Sequence, residues 1–266
     1  LVTGVWSHMA YMEAQNLKKA TCISSEVQGA YLSVPEAEAL HFNPDSAYVY
    51  YVPNETVNGI RFPYVPKTQG IPLIADMTSC ILSEPIDVSQ FALIYAGAQK
   101  NIANAGLTLL IIRDDLLQTI PSPPVPTMMN YRIQVEHASL YATPPVFNIY
   151  LASKMFDWVK ACGGVDALYQ KNCEKAQALY QYIDASEFYS TQVEKKARSL
   201  MNVCFSLKNT ELEAAFIAEA KEQGLTALKG HKLVGGIRAS LYNAMPMAGV
   251  EALISFMAKF AQAHKK

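Results

Sequence analysis

Short apolar runs recur through the first half of the chain, at residues 47–52, 71–75, 91–95 and 107–112, each bounded by Pro, Gly, Asn or Asp. Runs of this length, rich in Ile, Val, Leu, Ala and Tyr, fit strands buried on both faces of a parallel or mixed sheet. An amphipathic stretch at 5–20 precedes them and predicts a helix. In the second half the spacing becomes helical over 146–161, is stopped by Cys162-Gly163-Gly164, and resumes over 165–183. The paired glycines form a candidate hinge. Strand-like 201–207, helical 211–222, strand-like 225–228 and 237–242, and helical 250–263 predict a second α/β unit. The Pro-rich stretch 120–127 lies between the halves, and the sequence contains no internal repeat.

A chain of 266 residues with 51% hydrophobic and 17% charged residues can bury one large core or two smaller ones. Lys and Arg number 22 against 23 Asp and Glu, so no global basic excess draws it to nucleic acid or an acidic membrane. No apolar run approaches the ~20 residues of a membrane helix, which predicts a soluble protein. Five cysteines, odd in number and without a Cys-x-x-Cys pair, argue against a disulfide framework or a metal site and fit a reducing cytoplasm. The sequence opens on Leu1 without a targeting signal and reads as cut at its N-terminus, with Ser7-His8-Met9 continuing a native helix.

Two positions carry the candidate chemistry. Asp76 ends the run 71–75, and Lys100 follows the run 91–95 and the small residues Ala96, Gly97 and Ala98. In open α/β sheets the carboxyl ends of strands border the ligand crevice, so neighbouring strands can deliver an acid and an amine to one site. Pyridoxal phosphate needs that pair: an amine to bond its aldehyde, and an anion to keep its ring nitrogen protonated. Taken alone, most lysines are solvated surface charges, and an Asp after a strand is usually a turn former.

Several motifs resolve this choice. Pro53-Asn-Glu-Thr-Val-Asn-Gly, Ala75-Asp-Met-Thr-Ser, Tyr95-Ala-Gly-Ala-Gln-Lys-Asn-Ile, Ala105-Gly-Leu-Thr, Thr143-Pro-Pro, Lys229-Gly-His, Gly235-Gly-Ile-Arg-Ala-Ser and Tyr242-Asn-Ala-Met-Pro occur in this order. The combination resembles the phosphoserine aminotransferases over nearly the whole chain. The resemblance implies the aspartate aminotransferase-like fold of pyridoxal-phosphate transferases: a mostly parallel-sheet large domain over 1–161 and a smaller α/β domain over 162–266. In the family an N-terminal arm, the first large-domain segments and a Gly-rich turn that holds the cofactor phosphate precede the Trp6 position, so the resemblance implies an N-terminally truncated chain.

The resemblance also implies roles. Lys100 bears the cofactor in Schiff-base linkage, Asp76 partners its ring nitrogen, Trp6 stacks on the ring, Thr56 bonds the ring oxygen, and Gln99 contacts the phosphate. Arg238 grips the substrate α-carboxylate, and His231 with Lys232 handles the substrate phosphate. Thr143, beside Ala142, reaches the cofactor phosphate of the other subunit in a homodimer with shared sites. The family usually has Asn at the Ala142 position and Arg at the Lys232 position. Ala142 removes one hydrogen bond, worth about 1 kcal/mol, and Lys232 supplies charge without a bidentate fork. The implied reaction passes an amino group from glutamate to 3-phosphohydroxypyruvate, giving 2-oxoglutarate and phosphoserine, for serine and in bacteria also vitamin B6 biosynthesis. Two rivals stand beside it: another aminotransferase or desulfurase of this fold, using the same Lys and Asp on a different substrate, or a catalytically inactive fragment that keeps only dimerising or structural capacity.

Overall fold

In the computed structural model, residues 1–118 and 124–265 are described. The chain opens with helix α1 (Val5–Leu17), followed by a small hairpin of β1 (Glu26–Val27) and β2 (Ala30–Tyr31). Strand β3 (Val49–Tyr51) leads into a second hairpin, β4 (Asn54–Glu55) and β5 (Ile60–Arg61), then β6 (Leu73–Asp76), β7 (Leu93–Gly97) and β8 (Thr108–Ile112). Short helices α2 (Asp114–Gln118) and α3 (Tyr131–Glu136) precede the long α4 (Val146–Ala161) and α5 (Gly164–Asp184). The chain closes with β9 (Tyr189–Ser190), β10 (Asn202–Leu207), α6 (Glu213–Glu222), β11 (Ile237–Ser240) and α7 (Met247–His264).

The first sheet has the order β3-β6-β7-β8, with two parallel pairings and an antiparallel edge at β8. Its two faces differ. Tyr51, Ala75, Ile94 and Ala96 point into a closed core, whereas Tyr50, Ile74, Asp76 and Tyr95 on the opposite face are only half-buried. The expectation of strands buried on both faces is therefore corrected in this chain: one face is core, and it is the other that carries chemistry. The second sheet, β11-β10-β9, is wholly antiparallel and is packed by α5, α6 and α7 around Phe205, Phe216, Phe256 and Phe260. The two cores interlock, since Val193 and Ala197 from the second half pack into the first.

Most predicted elements form where the pattern placed them, and three depart from it. The first helix stops at Leu17, because Lys18 turns extended and its N–H closes the last turn on Ala14. No strand forms at 225–228: Gly224 and Ala227 both adopt positive φ, which bends the backbone out of extension, and only the isolated bridge of Lys229 to Ile237 follows. Residues 211–222 begin as a 3₁₀ turn over Thr210–Leu212 before becoming helical. Gly163 and Gly164, the candidate hinge, take φ of +95° and +82°, a left-handed link between α4 and α5. Residues 120–123 of the Pro-rich stretch lie outside the described residues.

One buried charge makes a testable stability statement. Lys175 of α5 is 2% exposed and donates to the carbonyls of Leu241 and Tyr242 at 2.9 and 3.0 Å, with no carboxylate in salt-bridge reach among the described residues. Burial pushes its amine from 10.5 to about 8. The unfolded chain then binds more protons than the folded one between those values, so stability rises with pH across that window. Relative to Lys175→Met, the parent should gain stability from pH 7 to pH 10, by up to about 3 kcal/mol. Denaturant titrations at both pH values test this, and a constant difference between the two proteins would contradict it.

Candidate active site

Strand register brings the acid and the amine together. β6 and β7 are parallel neighbours with Asp76 opposite Tyr95, so the turn after β7 delivers Lys100 to the same end of the sheet. That turn folds back on itself, with Ile102 and Ala103 both donating to the Ala98 carbonyl at 3.1 and 2.8 Å. Burial lowers the pKa of the half-buried Lys100 amine; the charge of Asp76 opposes this, and the guanidinium of Arg238 adds to it. The amine thus feels both side chains. The amine has no hydrogen-bond or ion-pair partner among the described residues.

Asp76 Oδ1 accepts the Thr78 N–H at 2.9 Å, and the Thr78 hydroxyl accepts the Gly97 N–H at 3.1 Å, which locks the two strand ends together. Behind the carboxylate, the Tyr95 and Tyr50 hydroxyls share a bond of 2.9 Å. Burial and the charge of Asp76 push Tyr95 up to about 12 and Tyr50 higher still, so both phenols stay neutral beside the acid.

The helix end supplies an aromatic wall. Trp6 is 41% exposed, yet its indole is fixed because Nε1 donates to the hydroxyl of buried Thr56 at 2.9 Å. The orphan N–H groups of the first turn of α1 are met from a distance: Trp6 and Ser7 donate to the carboxylate of Glu55 at 3.0 and 2.7 Å. A side chain at Gly4 would sit 2.5 Å from that carboxylate's carbon, so only glycine permits the approach. Burial raises the Glu55 carboxyl against the lowering pull of these N–H bonds.

Arg238 enters from the second sheet. Its Nη1 donates to the Thr56 carbonyl at 3.3 Å, while its Nε is buried without a partner. His231 and Lys232 sit on the preceding loop, cinched by Gly230 N–H to the Gly236 carbonyl at 2.9 Å; the His231 ring Nδ1 accepts the Leu233 N–H at 3.3 Å. Gln99 is exposed, with its amide folded over Gly97. Ala142 and Thr143 stand apart from this cluster, exposed between α3 and α4.

Sequence reasoning singled out Lys100, Asp76, Trp6, Thr56 and Arg238, which the fold does bring together. It missed Glu55, Thr78, Tyr95 and Tyr50. Tyr95 and Tyr50 lie in apolar runs, and only a strict count of alternate positions from Asp76 would have put them on its face. The arrangement fits pyridoxal phosphate on its own terms: an unpaired, pKa-lowered amine, a carboxylate, an anchored indole, and a buried guanidinium with an open donor.

The chain is similar to known proteins along its length. Residues 2–253 match the family described as Aminotransferase class-V. A phosphoserine aminotransferase of Legionella pneumophila (strain Philadelphia 1) is 62% identical over 98% of this chain and 72% of its own. The fold matches the phosphoserine aminotransferase of Bacillus circulans subsp. alkalophilus with a TM-score of 0.96 at 39% identity, covering 100% of this chain and 73% of that one. It also matches the phosphoserine aminotransferase of Trichomonas vaginalis, solved with pyridoxal phosphate bound, at TM-score 0.89 and 38% identity, over 97% and 74% of the two chains.

Proposed function

Because this chain belongs to the class-V aminotransferases, and within them to the phosphoserine aminotransferases, we propose that its cluster of Lys100, Asp76, Trp6, Thr56 and Arg238 carries the transamination of that family. The observation that carries the reading is the half-buried Lys100 amine, unpaired among the described residues, at the same end of the sheet as Asp76 and under the charge of both Asp76 and Arg238. The reaction moves an amino group from glutamate to 3-phosphohydroxypyruvate, with phosphoserine and 2-oxoglutarate as products. Pyridoxal phosphate, when bound, supplies an aldehyde for the covalent bond to an amine and a ring that draws electrons from the substrate Cα.

The residues divide the remaining work. Lys100 Nζ is the point of attachment and the carrier of the Cα proton, a task suited by the burial that lowers its pKa and so favours the free amine relative to an exposed lysine. Asp76 holds positive charge on the ring nitrogen. Trp6 presents a fixed aromatic face, Thr56 a hydroxyl, and Gln99 a phosphate contact. Arg238 orients the α-carboxylate with its guanidinium, and His231 with Lys232 receives the substrate phosphate.

In this reading residues 1–161 form the cofactor domain and 162–266 the small domain, and two copies assemble as a homodimer in which Ala142 and Thr143 face the partner's cofactor phosphate. Support comes from the apolar surface around them: Met129, Leu140, Val146, Phe147 and Tyr150 are 55–69% exposed. No helix among the described residues is long and apolar enough to cross a membrane. Five free cysteines support a cytoplasmic setting.

Initial rates with phosphoserine, alanine, cysteine and aspartate as amino donors to 2-oxoglutarate test the reading. Phosphoserine should exceed the others in kcat/KM by about 100-fold or more, because in this reading only its phosphate engages the charge of Lys232 and the second ring nitrogen of His231, whose Nδ1 already accepts the Leu233 N–H. Equal rates with alanine or cysteine would overturn it. For Arg238→Ala, loss of a charge-assisted contact of about 1.5–3 kcal/mol should raise KM for glutamate and for phosphoserine alike. Steady-state kinetics with each substrate checks this, and an effect on only one would require another carboxylate clamp.

A further inference from the structure

Three asparagines buried to 8% exposure or less, Asn101, Asn172 and Asn243, lie where three segments of the site meet. Asn101 is the residue after Lys100, Asn243 follows β11 and its Arg238, and Asn172 belongs to α5. Their side chains converge on the loop that follows Asp76. Three consecutive carbonyls there each accept from a different asparagine: Ile81 from Asn101 at 3.1 Å, Leu82 from Asn243 at 2.9 Å, and Ser83 from Asn172 at 3.0 Å. The middle residue, Leu82, holds φ at +62°, a left-handed conformation that a leucine keeps only when its surroundings fix it.

The asparagines are also bonded to one another through Asn243. Its backbone N–H donates to Asn101 Oδ1 at 3.2 Å, and its Oδ1 accepts from Asn172 Nδ2 at 2.8 Å. Asn243 is thus the one member bonded to both others, with its N–H, Oδ1 and Nδ2 all engaged. A buried amide costs stability unless such partners are met; here every side-chain oxygen and nitrogen named above is engaged, and Asn172 Oδ1 alone is left without a partner among the described residues. Within the Lys100 turn the other bonds are backbone closures onto Ala98, so Asn101 is the side chain that ties its crest to the rest of the molecule.

We propose that Asn243 is a positioning residue for Lys100, fixing through Asn101 the turn that bears the lysine and registering it against the segment after Asp76 and against α5. The proposal rests on the reading of Lys100 as the cofactor lysine. Asn243 acts on Asn101 through its backbone N–H, which its side-chain bonds to the Leu82 carbonyl and Asn172 hold in place, so Asn243→Ala frees that N–H from its anchors without deleting it, and no contact with the reacting atoms is needed. Displacing a reacting amine by about 1 Å costs up to ~100-fold in rate, so the joint's contribution is to kcat rather than to substrate binding.

The test uses the full chain loaded with pyridoxal phosphate, as wild type, Asn243→Ala, Asn101→Ala and a control, Tyr189→Phe. The control deletes one buried bond, from the Tyr189 hydroxyl to the Met257 carbonyl, within the second core. Visible circular dichroism, divided by the absorbance of the same sample, reads how firmly the cofactor-bearing lysine is held. Both asparagine variants should keep absorbance while losing this dichroism, and their kcat should fall by about 10- to 100-fold with the KM for phosphoserine unchanged. The control should lose stability alone. An unchanged dichroism ratio and kcat in the asparagine variants would overturn the proposal. If Asn243→Ala fails to fold, Asn101→Ala decides, because it leaves the Leu82 and Asn172 bonds of Asn243 intact. A wild-type protein that develops no visible band with pyridoxal phosphate would instead remove the Lys100 reading beneath it.

Discussion

In a Lys100→Ala variant, kcat for amino transfer from phosphoserine to 2-oxoglutarate falls about 1,000- to 10,000-fold, the upper part of the range that a positioned general acid–base residue supplies. That loss corresponds to about 4–5.5 kcal/mol of barrier. The geometry explains its size. Lys100 stands at the end of β7, its charge disfavoured by burial and by Arg238, and Asp76 only partly offsets this. Its amine therefore sheds its proton more readily than an exposed lysine's, and among the described residues no ion pair must first be broken. Alanine removes both the attachment and the proton carrier. A small free amine such as methylamine should restore part of the rate, since a diffusing base can move the Cα proton without anchoring anything. Steady-state kinetics with and without it measures both effects, and more than a tenth of wild-type activity in the variant would refute the role.

The second large effect is at Asp76. Asp76→Asn keeps the shape of the side chain and its acceptor for the Thr78 N–H, and removes only the charge. Removing one preorganised electrostatic partner of a developing charge costs about 100- to 1,000-fold in kcat, and that loss is expected here with KM for phosphoserine little changed. Tyr95 and Tyr50 strengthen the expectation, because both remain neutral and neither can replace the missing negative charge. A thermal melt alongside the kinetics separates this from damage to the fold. Wild-type turnover in a folded Asp76→Asn protein would contradict the part given to the carboxylate.

Much of this was legible in the sequence because sheet strands and long helices leave strong periodic signals. The runs at 71–75 and 91–95 marked β6 and β7, and with them the two positions where the acid and amine had to emerge. The helix α4 matches its predicted bounds, since Pro145 and Cys162-Gly163 punctuate it at both ends. What stayed hidden depended on distant partners. Glu55 reads as a loop carboxylate until α1 arrives to donate Trp6 and Ser7 N–H groups to it. The failed strand at 225–228 has the right composition but not the backbone, because Ala227 occupies a left-handed conformation that residue type does not announce. The three asparagines are likewise separated by 71 and 142 positions along the chain, and only folding joins them.

The account depends most on the amine of residue 100 bonding the aldehyde of pyridoxal phosphate. Borohydride reduction of the loaded protein, followed by proteolysis and peptide mass mapping, reads that bond directly. The modification is expected on the peptide containing Lys100 and on no other lysine, and Asp76→Asn should still be labelled there. A reduced cofactor found on a different lysine, with Lys100 unmodified, would contradict the account.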